Sequence, residues 1–371
     1  MPRLFNYADY DPNALKKRVG QISQIAGVRS VSFTDGRAKG VRALDFYTGS
    51  GLEFTVLVDR CMDIYTTRYK GVPLVWQSLN GVVSPEYYEP EGSGWLRSWA
   101  GGLMTTCGFE QVGTACVDQG VAYGLHGRVG NLPAENVHVD ERWEKDKFVL
   151  SARGQVKQSY FVSENYLLTR EISTTMGESI IRVHDHVENP GFSKTPLEFL
   201  YHINFGFPLV DDGSRLIFPS INTIPRDDIA ARGLDEWEIL SPPIMDYQEQ
   251  VFEHNMIPDE EGYILTAILN DSLGDGLGVY VRYDFAAFPY FSEWKQMGEG
   301  IYALGFEPGN CHPHGRKRER ERGTLQFLEP GESKDFYIEF GVLDGKTAIS
   351  GIERKINNIR NSINRLSSND C

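Results

Sequence analysis

Cysteine is scarce in this sequence. Five of the 371 residues are cysteine, at Cys61, Cys107, Cys116, Cys311 and Cys371, an odd and scattered set with no C-x-x-C pair. A disulfide scaffold and a zinc ribbon are therefore not expected, and the thiols read as free and reduced, as in a cytoplasmic protein. Long apolar runs are missing too, since nothing approaches the ~20 residues of a membrane span. The opening segment, MPRLFNYADYDPNALKK, has no apolar h-region, so no secretory signal is expected. Basic charge is in deficit, with 37 Lys and Arg against 51 Asp and Glu and a net charge of −14. That balance argues against a nucleic-acid partner and against docking on an anionic membrane.

Familiar catalytic signatures are also absent. There is no G-x-x-x-x-G-K-[ST] phosphate loop, no G-x-G-x-x-G after a strand, no H-E-x-x-H and no G-x-S-x-G elbow. No cofactor is expected, and no metal.

What is present is strand patterning. Runs rich in Thr, Val, Tyr and Phe recur at Val41–Tyr47, Leu52–Val58, Phe148–Val156, Tyr166–Met176, Ser179–Glu188, Leu277–Tyr283 and Lys334–Val342. In the second run Leu52, Phe54, Val56 and Val58 fall at every other position, a period of two. Turn residues punctuate most of the chain every eight to twelve residues, which predicts a large antiparallel β-sandwich or barrel, all-β, rather than a βαβ array. Helical spacing is confined to the ends. Asn13–Ile25 reads as a short helix started at Asp11-Pro12. Near the C-terminus, Ile349, Ile352, Ile356, Ile359, Ile363 and Leu366 are spaced 3, 4, 3, 4, 3 and predict an amphipathic helix over about 347–367. Packing across the sandwich is the expected use of that stripe, and a homodimer seam is the alternative. No repeat or linker divides residues 1–371, so one domain is expected.

Four stretches carry candidate chemistry. Arg60 sits in the D-R-C-M-D turn of residues 59–63, where a guanidinium can fork onto hydroxyls or clamp its own turn. His126 is flanked by turn glycines in G-L-H-G-R-V-G-N. His202 and Asn204, two apart in the apolar run F-L-Y-H-I-N-F-G, share one face of a strand and must be hydrogen-bonded or functional. Glu307 closes L-G-F-E-P-G-N before a Pro-Gly turn, as a strand-end ion pair or a general base. Two His pairs, His184 with His186 and His312 with His314, can join a metal site with Glu307 or His254, but their spacing is unspecific. The Arg316–Arg322 charge run reads as a solvated hairpin or loop, or a basic rim that draws an anionic sugar.

Together these stretches resemble the galactose mutarotase-like, or aldose 1-epimerase-like, superfamily, and in particular its bacterial DUF4432 branch. The likeness rests on V-D-R-C-M-D-I at 58–64, G-G-L-M-T-T-C-G at 101–108, G-L-H-G-R-V-G-N-L-P-A-E-N at 124–136, E-F-L-Y-H-I-N-F-G-F-P at 198–208 and G-F-E-P-G-N at 305–310. It implies a supersandwich with an open sugar cleft, His202 as general acid on the ring oxygen and Glu307 as general base on the anomeric hydroxyl. By the same resemblance Arg60 and His126 hold sugar hydroxyls, and Asp246 or His254 stands in for a sugar-binding aspartate. The H-G segment continues R-V-G-N-L-P and so departs from the mutarotase pattern.

Opening a cyclic hemiacetal takes one proton from the C1 hydroxyl and gives one to the ring oxygen. An ionised Glu307 facing a protonated His202 is the expected pattern, held by mutual attraction. The expectation is a cofactor-independent enzyme of carbohydrate metabolism that interconverts sugar anomers, with a small sugar as its partner. The alternatives are an isomerase or epimerase acting away from C1, with a metal at His254, His312 or His314, and a non-catalytic carbohydrate-binding protein. Trp76, Trp95, Trp99 and Trp294 can stack on a sugar in any of these or belong to the core.

Overall fold

The computed structural model describes residues 11–367, and the side chains through 361. The alternating runs become antiparallel strands, as their period of two demands. An eight-stranded sheet runs in the order Arg215–Ile217, Tyr263–Asn270, Leu277–Asp284, Ser333–Asp344, Ile180–Glu188, Asn165–Thr175, Lys147–Ser159, Glu135–Glu144. A seven-stranded sheet faces it. Its main path is Ser220–Pro225, Gln250–Met256, Tyr290–Gly298, Ile301–Gly309, Thr195–Gly206 and Gln326–Leu328, with Thr105–Phe109 paired to Thr195–Gly206. A five-stranded meander between Gly27 and Pro73 flanks the pair. The result is the expected antiparallel supersandwich.

The core lies between the two large sheets. Phe199, Tyr201, Ile203, Phe205, Phe291 and Phe306 of one sheet meet Ile181, Val183, Val281, Phe336, Ile338 and Phe340 of the other. Leu52, Phe54, Val56 and Val58, the period-two set, are all buried. One charged cluster is sunk in this core. Arg170 is fully buried and bonds Asp185 through Nε at 2.8 Å, Asp63 at 3.0 Å, the Cys61 carbonyl at 2.8 Å and Thr106 at 2.9 Å. The Tyr201 hydroxyl donates to Asp185 at 2.6 Å. Every polar group in the set is thus matched, as a buried charge requires.

Two expectations about helices are corrected. Asn13–Ile25 is not one helix. A single turn at Pro12–Lys16, capped by the Asp11 carboxylate, is followed by a separate 3-10 turn at Ile22–Gln24. Gly20, between them, weakens any continuous helix. The Arg316–Arg322 run is a helix, not a hairpin or loop, closed by Gly323 in the left-handed conformation. Arg316 and Arg320, one turn apart, both grip Asp118, and Glu319 turns inward to accept from Thr324. Strict charge alternation hid this helical spacing.

The C-terminal helix spans Lys346–Ser367. Ile349, Ile352 and Ile356 are buried against Ile217, Leu265, Leu269 and Leu343 on the outer face of the eight-stranded sheet, with Ile359 packed beside them. Each buried Ile contributes about 1.5–3 kcal/mol. The stripe is therefore spent within the chain as far as Ile359. The side chains of Ile363 and Leu366, and Cys371, lie outside the described residues. Cys61, Cys107, Cys116 and Cys311 are free thiols. Among the described residues, no helix is long and apolar enough to cross a membrane.

Candidate active site

The inner strands of the seven-stranded sheet alternate between two environments. Tyr201, Ile203, Phe291 and Phe306 enter the core, so His202, Asn204, Ser292, Trp294 and Glu307 project from the other face. The pairing register joins Ile203 to Phe306 and Asn204 to Gly305, which sets His202 beside Glu307. Ser292 pairs with Glu307, Glu253 pairs with Ser292, and His202 pairs with Thr105. A polar row therefore crosses five strands in the order Glu253, Ser292, Glu307, His202, Thr105.

His202 Nε2 lies 3.2 Å from Glu307 Oε1, and each side chain is only 5% exposed. Glycine at 305 makes room for the ring, since a Cβ there would stand 3.2 Å from His202 Cε1 and 3.0 Å from Trp294 Cβ. Desolvation pushes the Glu307 carboxyl up to about 8, with the field of Glu249 adding to it and Arg226 opposing. Desolvation, helped by the field of His126, brings His202 down to about 3 against a weaker hydrogen bond with Asn204. This corrects the expected charge pattern. Between those two values the pair holds one acid proton, and it rests on Glu307 rather than on His202. The attraction between opposite charges does not repay taking both from water.

Tryptophans surround the pair. The Trp99 ring lies 4.9 Å from His202 and the Trp294 ring 5.5 Å from it. Trp76 packs on both of these tryptophans, and Trp95 on Trp99. Trp95, Trp99 and Trp294 are mostly buried, while Trp76 is partly open. The four tryptophans singled out in the sequence are thus one cluster built around Trp99, with His202 against Trp99 and Trp294.

His126 joins them. Its ring lies 4.7 Å from Trp95 and 5.9 Å from His202. Its backbone is left-handed, with φ 57°. The Gly113 N–H donates to His126 Nδ1 at 3.3 Å, and burial brings the ring down to about 4. At neutral pH His126 is therefore uncharged with its proton on Nε2, a hydrogen-bond donor for the site.

Other expected substrate contacts are placed differently. Arg60 is 4% exposed, and its donors go to the carbonyls of Gly130 at 2.9 Å, Val83 at 2.8 Å and Ser98 at 2.9 Å. Its Nε and Nη1 tie together three loops, one of them bearing Trp95 and Trp99. Burial draws it down only to about 10, so it stays charged. Asn204 is fully buried and donates to the carbonyls of Gly102 and His202, at 3.0 and 2.9 Å. Its Oδ1 is buried without a hydrogen-bond partner. Asp246 occupies an exposed turn with φ 55°. His254 points into the core, 3.1 Å from Glu293 and 3.2 Å from Thr223, against Phe218 and Trp237. Adjacent residues of a strand face opposite ways, so the site side of this strand carries Glu253 instead.

Glu249, Arg226 and Glu253 had not been singled out in the sequence. Glu249 accepts from Trp294 Nε1 at 2.8 Å and pairs with Arg226 at 3.1 Å. Their signal was the alternation Glu249, Val251, Glu253, read against Asp246 and His254 in the same stretch. The His pairs separate. His184 and His186 both meet the exposed Asp335 on the eight-stranded sheet, at 2.7 and 3.0 Å, away from Glu307 and His254. Glu253, His312 and His314 instead converge, with ligand atoms all within 4.8 Å of one another.

A buried acid–base pair under aromatic rings thus lies on the outer face of a supersandwich. Residues 38–342 match the family described as domain of unknown function DUF4432. The chain belongs to the DUF4432 family. No curated protein matches it. Among solved structures, this DUF4432 chain is similar to a candidate aldose 1-epimerase from Klebsiella pneumoniae, with 28% identity, TM-score 0.85, and 90% of this chain and 87% of that chain covered. It is also similar to a galactose mutarotase-like protein from Clostridium acetobutylicum, at 14% identity and TM-score 0.59, covering 86% and 99%. A galactose 1-epimerase from Lactobacillus acidophilus aligns at 12% identity and TM-score 0.56, covering 86% and 100%. The last two likenesses establish the fold of this DUF4432 member and no more.

Proposed function

We propose that the protein interconverts the anomers of an aldose by general acid–base ring opening. The observation that carries this reading is the 3.2 Å approach of His202 Nε2 to Glu307 Oε1 on one sheet face, with His202 against Trp99 and Trp294.

The two oxygens of a hemiacetal share one carbon, so an acid and a base a single contact apart can serve both. The shared proton first shifts from Glu307 to His202. Glu307 then takes the proton of the C1 hydroxyl while His202 protonates the ring oxygen. The bond from C1 to the ring oxygen breaks and C1 becomes a carbonyl. Glu307 again holds the proton and His202 is neutral, which is the resting state of the pair. Rotation about C1–C2 and reversal of both transfers closes the other anomer. The His126 Nε2–H is a donor for a sugar hydroxyl, and Trp76 and Trp294 offer faces to sugar C–H groups.

Proton NMR of a sugar panel in D2O tests the reading. Accelerated anomer exchange without carbon deuteration, abolished in Glu307→Gln, is the expected result. Deuterium at C2 or beyond would indicate isomerisation instead, and saturable binding without exchange would indicate a carbohydrate-binding protein.

A further inference from the structure

We infer that Glu253, His312 and His314 form a seat for one divalent transition-metal ion, next to the acid–base pair, that binds oxygens of the substrate sugar. The ion's contact with sugar rests on the proposed function, whereas the ion site itself does not.

The donor set comes first. A carboxylate and two imidazole nitrogens have ligand atoms within 4.8 Å of one another. His314 Nε2 meets one Glu253 oxygen, and His312 Nδ1 lies 3.5 Å from the other. Two His and one carboxylate suit zinc, manganese or ferrous iron, and leave coordination positions for water or substrate.

Local structure aims these groups at one point. His312-Pro313-His314 makes a tight turn in which the His314 N–H donates to the His312 carbonyl at 2.8 Å. Gly113 pins that turn from behind, because a Cβ on Gly113 would stand 2.0 Å from the Pro313 carbonyl carbon. The Tyr290 ring packs on His312 at 4.3 Å and holds its plane. His312 Nδ1 is buried and has no hydrogen-bond partner, an unusual state for a ring nitrogen facing a carboxylate. The side chains of His312, Glu253 and His314 remain 16%, 16% and 6% exposed, so an ion can enter. Arg322, whose charge is felt at Glu253, is partly offset by Glu319 at 3.8 Å.

Placement supplies the role. Glu253 and Glu307 are both register partners of Ser292, one strand to either side. Strands lie about 4.8 Å apart, so roughly 10 Å separates the two backbones, a span that one monosaccharide can bridge. An ion at Glu253 would hold hydroxyls distant from C1 while C1 rests at Glu307. Gly113 also donates to His126, so one backbone segment holds both His126 and the His312–His314 turn.

The test is Mn2+ and Zn2+ titration of chelator-treated protein by calorimetry, followed by relaxation of sugar carbons by bound Mn2+. One ion per chain is expected, with affinity at least about 100-fold weaker in His314→Ala and in Glu253→Gln and unchanged in Glu307→Gln. Circular dichroism melts of each variant separate lost ligation from lost folding, and His312→Ala supplies a third independent reading. Sugar carbons should relax faster with bound Mn2+ and not in His314→Ala. No saturable binding, binding indifferent to all three ligand variants, or an ion that leaves sugar carbons unaffected would overturn the inference. Anomer exchange is read separately. An ion bound in a protein that exchanges no anomers sinks the mutarotation reading alone, and exchange without any ion sinks only this one.

Discussion

The Glu307 carboxylate oxygen and the His202 ring nitrogen lie 3.2 Å apart on neighbouring strands, and burial confines the pair to one proton across neutral pH. Two groups that would each titrate separately in water thus act as one acid–base unit.

Removal of either member should abolish turnover without unfolding the protein. A positioned proton-transfer group contributes ~10²–10⁴-fold, so Glu307→Gln and His202→Asn should each slow anomer exchange by that factor. The double variant should be little worse than either single one, because the two share one step. Rates by NMR with melting curves in parallel check this, and an unchanged rate in either variant removes it from the reaction.

The pH profile should be flat through neutrality and fall above about 8, where Glu307 loses the shared proton. Above that point the loss should approach tenfold per pH unit. Polarimetry across pH 5–10 reads the profile, and a rate that holds to pH 10 would assign the proton elsewhere.

Stability should show the same group with a definite sign. The folded Glu307 value, about 8, is raised above its ordinary 4.5. Its contribution is therefore whole below about 4.5 and is lost as pH rises through 8. Glu307→Gln, uncharged throughout, should match the parent near pH 4 and exceed it near pH 8.5 by roughly 4–5 kcal/mol. Denaturant unfolding at both pH values decides, and a variant weaker at the higher pH would contradict the assignment.

Arg60 yields the opposite kind of result. Arg60→Met strips the donor from three loop carbonyls, at Gly130, Val83 and Ser98. We expect about 2–4 kcal/mol of lost stability and altered tryptophan fluorescence from the loosened Trp95–Trp99 turn. Full stability with lost sugar affinity would return Arg60 to the substrate.

Much of this architecture could be read from the residues. Period-two runs located seven strands to within a few residues, because half-buried strands must alternate. His202 and Glu307 were marked by polar groups in apolar runs, a pattern that burial makes costly. What escaped was set by parity and by long-range contacts. His254 and Glu253 are one residue apart, and only the pairing register tells which shares a sheet face with Glu307. Arg60 carries the residue type of a sugar ligand, but its partners are backbone carbonyls from three distant loops, invisible to local pattern. The charge state of the pair is not legible in sequence, because attraction is evident there whereas dehydration depends on the finished fold.

His202 and Glu307 sit on paired strands in the middle of a sheet, while Trp76, Trp99 and His126 are supplied by loops and Trp95 by the 3-10 turn Gly94–Arg97. On the proposed function, reaction and recognition are thereby housed in separable parts. Loop sequence can drift, and with it the sugar accepted, while the spacing of the proton-transfer pair is kept by the backbone hydrogen bonds of the sheet. Exchanging loops among relatives should accordingly retune preference and leave the chemical step alone.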